Sequence, residues 1–269
     1  MTEKVPISVI IPCFRCEGTI ARAVESVIGQ TMSPIEILLI EDFSGDEGRT
    51  LETLYGLQRK YKDSAIRVIP LESNEGAAAA RNRGWDEATQ PYIAFLDADD
   101  AWHPKKLEIQ YKWLEANPEV AFCGHQIEVV SSISETAAAM GIVPYRRISR
   151  SEWLFSCCFS TISVMLRRNL PFRFTPGKRF AEDYLLWLRI ALSGHDAWRI
   201  EAPLAFCFKP LYGSGGLTRN LWEVEKGELD TYNRVYREGL ISLTSFTVMA
   251  PFSLLRYLRR VVLTLFRRV

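Results

Sequence analysis

Tyr92-Ile93-Ala94-Phe95-Leu96-Asp97-Ala98-Asp99-Asp100 is an unbroken apolar run closed by a cluster of carboxylates. A run this short, without helical spacing, reads as a strand buried on both faces. Asp-x-Asp at its end places hard oxygen donors at the strand's carboxyl edge. Open α/β sheets bind ligands at that edge, and Mg²⁺ or Mn²⁺ held there can bridge to a diphosphate. Acidic clusters at strand ends are also ordinary solvated turns, so the neighbouring segments decide.

Upstream, strand and helix patterns alternate. Ile7 to Ile11 is an apolar run stopped by Pro12, Ile20 to Ile28 has helical spacing, Ile35 to Ile40 is a second buried strand, and Thr50 to Lys62 is helical. Ile66 to Ile69 gives a third strand and Ala77 to Ala88 an alanine-rich helix before the run at Tyr92. This alternation predicts an α/β fold with a mostly parallel central sheet flanked by helices. Downstream, a helix begins near Pro104 and ends by Asn117; Val120 to Val130 is extended, Ser131 to Met140 a polar loop, Ser160 to Leu166 a strand and Tyr184 to Leu192 a helix ended by Gly194. The glycine-rich Leu211 to Thr218 reads as a mobile loop suited to a lid.

Among 269 residues, 33 Lys and Arg offset 32 Asp and Glu, for a net charge of +1, so nothing global points to nucleic acid. Cys13-x-x-Cys16 has half of a zinc or redox spacing, but no second Cys-x-x-Cys or His pair follows, so the six cysteines are expected to be free packing thiols. The first apolar run is too short for a secretory signal, which points to the cytoplasm. The three histidines have no ligand spacing with one another and each is expected to be structural or solvated, with His103 the outside candidate for a phosphate contact.

Four loops follow the four strands. Pro12-Cys13-Phe14 offers an aromatic to stack on a base, with a core phenylalanine as the other reading. Glu41-Asp42-Phe43-Ser44-Gly45-Asp46 offers a carboxylate to a pyrimidine imide, while Ser44 and Asp46 suit helix capping. In Asn74 to Gly84, Gly76 opens a helix and Arg81 falls one turn in, able to grip carboxylates or phosphates. The fourth loop is the acidic cluster itself.

Together Pro12-x-Phe14, Glu41-Asp42-x-Ser44-x-Asp46, Asn74-x-Gly76 with Ala80-Arg81-Asn82-x-Gly84, Asp97-Ala98-Asp99-Asp100, and Glu182-Asp183 before Leu186-Trp187-Leu188 resemble the family 2 glycosyltransferases over roughly residues 5–210. The resemblance implies the GT-A fold and an inverting, metal-dependent transfer of a sugar from a nucleotide diphosphate, a UDP-sugar by expectation, to a hydroxyl of a glycan or lipid-linked glycan. It further implies a role in bacterial polysaccharide or lipopolysaccharide assembly. By the same resemblance Asp183 is the general base, with Glu182 the lesser candidate. Asp99 ligates Mg²⁺ or Mn²⁺, and Asp97 faces the ribose or the metal. Pro12, Phe14, Asp42, Gly76, Arg81, Asp97, Glu182 and Trp187 bind substrate in this resemblance, Trp187 as an apolar wall for the acceptor sugar, with a core tryptophan as the equal alternative. Phe14-Arg15 replaces the family's usual Tyr-Asn, and Glu41 replaces the commoner Asp, which leaves the base contact to Asp42.

No acidic residue follows Gly239, whereas Arg256, Arg259, Arg260, Arg267 and Arg268 do. On a helical wheel Phe252, Leu255, Leu258, Val262, Leu265, Phe266 and Val269 gather opposite most of these arginines. That is the pattern of a helix lying in a membrane interface. A helix docked on the catalytic domain or an oligomer contact are the competing readings. Residues 1–218 are expected to form the catalytic domain and 219–269 a helical, basic tail that brings the enzyme to the inner face of the cytoplasmic membrane. A nucleotide-sugar-binding scaffold without activity would keep Asp-x-Asp and lose the base. The presence of Asp183 favours an enzyme. Neither the glycine fingerprint of a dehydrogenase nor a P-loop is present.

Overall fold

The computed structural model describes residues 2–132, 143–209 and 220–266. The polar loop at Ser131 to Met140 lies mostly outside them, and the glycine-rich loop at Leu211 to Thr218 lies wholly outside, as do Arg267, Arg268 and Val269. In chain order the elements are β1 (Glu3–Cys13), α1 (Ile20–Ile28), β2 (Met32–Glu41), α2 (Arg49–Lys60), β3 (Ile66–Pro70), α3 (Ala77–Glu87), β4 (Tyr92–Phe95), β5 (Ala101–Trp102), α4 (Lys106–Ala116) and β6 (Phe122–Val129). They continue as β7 (Tyr145–Arg147), α5 (Arg150–Phe155), β8 (Met165–Arg167), α6 (Glu182–Leu192), β9 (Ala197–Cys207), α7 (Leu221–Arg237) and α8 (Leu243–Phe266).

The described strands form one sheet in the order β3-β2-β1-β4-β8-β6-β9-β5, with β7 paired to β9. β3, β2, β1 and β4 are parallel, and β8 enters antiparallel to β4. Alternate residues of each parallel strand feed two cores. Val9, Ile11, Ile37 and Leu39 pack on one face with α1, α2 and α4, while Ile10, Leu38 and Ile40 pack on the other with α3 and α6. Helix α1 buries Ile20, Ala23, Val24 and Val27, a single stripe at helical spacing. Helix α3 can lie close to the sheet because Gly84 has no side chain: a Cβ there would come within 2.4 Å of Ile10 Cγ2.

Two local expectations need correction. Within Ser160 to Leu166 only Met165 and Leu166 belong to a strand, because Thr161–Ser163 turn as a 3₁₀ helix whose last residue bonds Ser160 O through its N–H and its hydroxyl. The tail arginines do not form one free basic face. Arg256 pairs with Glu228, while Arg260 bonds Glu225 at 2.7 Å and Glu228 at 2.8 Å, with Glu225 fully buried between α7 and α8. A buried carboxylate pair demands nearby cations, and α8 supplies them, so two of the five arginines fasten the helix to the body. Ser253 and Met249 are buried on the same side.

Lys106 is fully buried over the Trp102 ring, 3.9 Å from its centroid, and its ammonium has no hydrogen-bond acceptor among the described residues. Burial lowers its pKa to about 7. The folded protein therefore carries the full cost of a buried charge below about pH 7, and that cost fades as pH rises toward the ordinary lysine value. Lys106→Met is expected to raise the melting temperature at pH 6 and to raise it less at pH 9, at roughly 2–4 °C per kcal/mol recovered. Equal shifts at both pH values, measured by differential scanning calorimetry, would show that burial does not depress the Lys106 pKa.

Candidate active site

The carboxyl ends of the parallel strands open into a cavity of about 960 Å³. Pro12, Cys13 and Phe14 line it at the end of β1, Asp42 at the end of β2, Arg81 from α3, and Asp97 and Asp99 beyond β4. The opposite wall is Cys157 to Thr161, Arg179 to Tyr184, and Lys209 after β9. Strands closed by polar residues thus gather their chemistry at one edge, and the long return through β9 brings Lys209 to the same place.

Arg81 organises the centre. Its guanidinium, almost fully buried, bonds Asp97 Oδ1 at 2.7 Å and Glu182 Oε1 at 3.1 Å. Burial works against its charge, but Asp97 and Glu182 outweigh that effect and raise its pKa. Burial and the adjacent Asp183 push Glu182 up to about 7, against the pull of Arg81. Asp183 makes no ion pair among the described residues. Its Oδ1 accepts from Tyr184 N–H at 2.7 Å and its Oδ2 from the Thr161 hydroxyl at 3.3 Å. Burial raises its pKa above the ordinary aspartate value, which suits a carboxylate that takes a proton. Glu182 is committed to Arg81, so of the two acids Asp183 is the one left to act as a base.

Asp99 Oδ2 pairs with Lys209 Nζ at 2.6 Å. Asp100 turns away from the cavity toward the Cys207 thiol, 3.7 Å distant, and burial with the charges of Asp97 and Asp99 pushes it up to about 7. Among the described residues no three His, Cys, Asp or Glu side chains stand close enough to hold a metal by themselves. One or two carboxylates on an open wall fit Mg²⁺ or Mn²⁺, which keep waters and take the remaining oxygens from a diphosphate. Of the carboxylates lining the cavity, Asp99 and Asp97 are the candidates to hold it.

On the nucleotide side, Phe14 is 47% exposed on the cavity wall, free to stack on a planar ring, with the Arg15 guanidinium 5.2 Å from its centroid. Asp42 lines the cavity too, but its carboxylate also accepts from Glu75 N–H at 2.8 Å, Gly76 N–H at 2.9 Å and the Asn74 amide at 3.1 Å. Asp42 therefore ties the loop before α3 to the end of β2, and Gly76, at φ 85°, contributes an N–H to that tie rather than a cavity surface. Asp46 accepts from Thr50 N–H and its hydroxyl, the capping expected of it, whereas Ser44 accepts from Arg15 N–H instead.

Trp187 is not brought to the cavity. It is fully buried, stacked on Phe122 at 5.8 Å and edge-on to Phe174, because its position on α6 faces the sheet rather than the helix N-terminus. His103 is buried in the turn before α4, where its Nδ1 accepts from Lys105 N–H. All six cysteines are free thiols. Sequence reasoning missed Lys209, Thr161 and Arg179, along with the contributions of Val224, Glu228 and Arg260 to the far wall. Lys209 and Asp99 are separated by 110 positions, so no local pattern joins them.

The family model "Glycosyl transferase family 2" matches residues 8–178, and the chain belongs to that family. It is 33% identical over 186 residues to WfgD of Escherichia coli, named as a UDP-Glc:α-D-GlcNAc-diphosphoundecaprenol β-1,3-glucosyltransferase, covering 68% of this chain and 69% of that one. It is 28% identical over 248 residues to TuaG of Bacillus subtilis, a putative teichuronic acid biosynthesis glycosyltransferase, covering 91% of this chain and 94% of the relative. Its fold is that of TarS of S. aureus, solved with UDP-GlcNAc: the TM-score is 0.70 at 16% identity, over 92% of this chain and 71% of that one. A mannosyltransferase of Pyrobaculum calidifontis, solved with GDP-Man and Mn²⁺, superposes with a TM-score of 0.64 at 19% identity over 92% of this chain and 68% of its own. The fold is GT-A.

Proposed function

We propose that this protein is an inverting glycosyltransferase that moves one sugar from a nucleotide diphosphate, a UDP-sugar, to a hydroxyl of a glycan or lipid-linked glycan in bacterial surface-polysaccharide or lipopolysaccharide assembly. The observation that supports this reading is the Arg81 bridge, which ties Asp97 to Glu182, beside Asp183, in one cavity. WfgD, which takes UDP-glucose to a diphosphoundecaprenol-linked acceptor by its name, and TuaG support the donor and the pathway class.

Asp99 and Asp97 would hold Mg²⁺ or Mn²⁺, which when bound stabilises the charge on the departing diphosphate. Phe14 stacks on the base, and the Asp42-tied loop shapes the nucleotide side. Asp183 accepts the proton of the acceptor hydroxyl as its oxygen attacks the anomeric carbon from the face opposite the diphosphate. The new C–O bond forms as the bond to the diphosphate breaks, so the configuration inverts. Thr161 orients Asp183, and Arg81 keeps Glu182 from competing for the proton. A thermal-shift panel of nucleotide sugars with and without Mn²⁺ tests the reading: one donor should stabilise the protein in a metal-dependent way, and no response to any of them would reject it.

Residues 1–218 serve in this reading as the catalytic domain and 219–269 as a helical tail at the inner face of the cytoplasmic membrane. No described helix is long and apolar enough to cross a membrane. Support for a surface contact comes from α8, whose Val248, Phe252, Leu255, Leu258 and Val262 recur at helical spacing and are all at least 40% exposed. Arg259 is exposed beside them, while Arg256 and Arg260 are spent on the body. Lipid contact therefore rests on the apolar stripe more than on charge. Leu255→Glu with Leu258→Glu is expected to abolish co-sedimentation with vesicles containing phosphatidylglycerol and to leave the melting temperature unchanged. Unchanged sedimentation would remove the membrane contact from the account.

A further inference from the structure

Besides Asp183, the cavity is lined by Arg179 and Phe180, by Val224 and Glu228 of α7, and by Arg260 of α8. The cations there differ in one respect. Arg260 bonds Glu225 and Glu228, and Arg199, which also lines the cavity, bonds Glu201 at 3.0 Å. Arg179 is exposed on the wall and makes no ion pair among the described residues.

Its direction is built in by its two neighbours. Lys178 points inward, where it is nearly buried and bonds Gly227 O at 2.9 Å and Asp230 at 2.8 Å. Phe180 lies against Gly227, where a Cβ would come within 2.7 Å of it, so α7 can approach the loop only with glycine at that position. Thr231 donates to Ala181 O, and Ala181 takes a left-handed φ of 54° just before Glu182-Asp183. Helix α7 thus clamps both sides of Arg179 and leaves its side chain to the cavity, four positions before the base.

From this geometry we infer that Arg179 reads a phosphate group on the acceptor, so that the acceptor is a sugar carried on a phosphate or diphosphate and its attacking hydroxyl is set at Asp183. An uncommitted guanidinium presents a fork that matches phosphate oxygens two at a time. The neighbouring surface suits a lipid carrier: Arg260 lines the cavity, and Val262, exposed two residues further along α8, is the last member of the apolar stripe. The inference rests on the glycosyltransferase reading for the role of Asp183, and its test is independent of that role.

Calorimetric titration of the full chain with farnesyl diphosphate, in EDTA so that the donor side lacks its cation, reads the contact directly. The wild type should bind. Arg179→Ala should weaken binding at least tenfold, Arg179→Lys should restore part of it, and Asp99→Ala should leave it unchanged. Farnesol should bind no differently to any of these variants. Inorganic diphosphate, as a second probe, separates the sources: binding as tight as that of the farnesyl compound supports recognition of the phosphate alone, and weaker binding, still lost in Arg179→Ala, supports a lipid-borne phosphate. Undiminished binding by Arg179→Ala, or loss shared equally by Asp99→Ala, would overturn the inference. Because Arg179 is exposed, melting temperatures should match. If no nucleotide sugar binds the wild type while farnesyl diphosphate still depends on Arg179, the function proposed above fails and this assignment stands.

Discussion

Asp183→Asn is expected to lower turnover by about 10²-fold or more, the scale of losing a general base, while affinity for the donor stays near that of the wild type. The amide keeps the shape of the side chain: its oxygen can still accept from Tyr184 N–H and its NH2 can donate to the Thr161 hydroxyl, with that bond reversed, but it does not accept a proton at neutral pH. Burial raises the pKa of Asp183, and the sign of that shift supplies a second readout. An acid whose pKa is higher folded than unfolded destabilises the protein once ionised, so stability falls as pH rises through that interval. The asparagine variant should therefore melt no lower than the wild type at pH 7.5. If Asp183 were instead a structural acid at the start of α6, the substitution would lower the melting temperature with the activity. The wild-type rate should fall on the acid side as Asp183 becomes protonated, at a pH above the ordinary aspartate pKa. Calorimetry for the donor, a pH profile and a melting curve on the one variant separate the two roles.

Asp99→Ala has the second-largest expected effect: a loss of about 10²-fold or more in kcat/KM, comparable to removing one electrostatic contact to developing charge, together with loss of metal-dependent donor binding. Asp99 is partly exposed and, among the described residues, pairs only with Lys209, itself on the surface, so the fold should not suffer. Surface pairs of that kind contribute little to stability. Mn²⁺-dependent donor binding that survives unchanged, measured by calorimetry, would remove Asp99 from the metal site.

The strand ends were legible in the sequence because each one is a local event: an apolar run with period two or no period, closed by Pro12, Glu41-Asp42 or Asp97-Ala-Asp99. The register that gathers them follows from the parallel alternation. Arg81 was legible for the same reason, lying one turn into a helix that opens at Gly76. What the sequence hid is long-range. Trp187 reads equally as a cavity wall or as core, and only the rotation of α6 against Phe122 decides for core. Lys209 and Arg179 belong to segments without a motif, and their meaning depends on β9 returning beside β4's loop and on α7 clamping the turn before α6. The tail shows both sides. Its apolar stripe was readable from spacing alone, whereas the pairing of Arg256 and Arg260 required knowing that Glu225 and Glu228 would be buried opposite them. Helix α5 was readable in hindsight: Ser149 and Glu152 form a capping box whose sequence signature is Ser-x-x-Glu.

The central claim is a single-displacement sugar transfer with Asp183 as its one base. Once the panel has named the donor, the most direct test is the proton NMR spectrum of the product formed with a hydroxyl acceptor, read at the transferred sugar's anomeric proton. Inversion of the donor's anomeric configuration is the expected result. Retention would require a nucleophile on the opposite face and would contradict the account, as would a wild-type protein that binds the donor and transfers nothing.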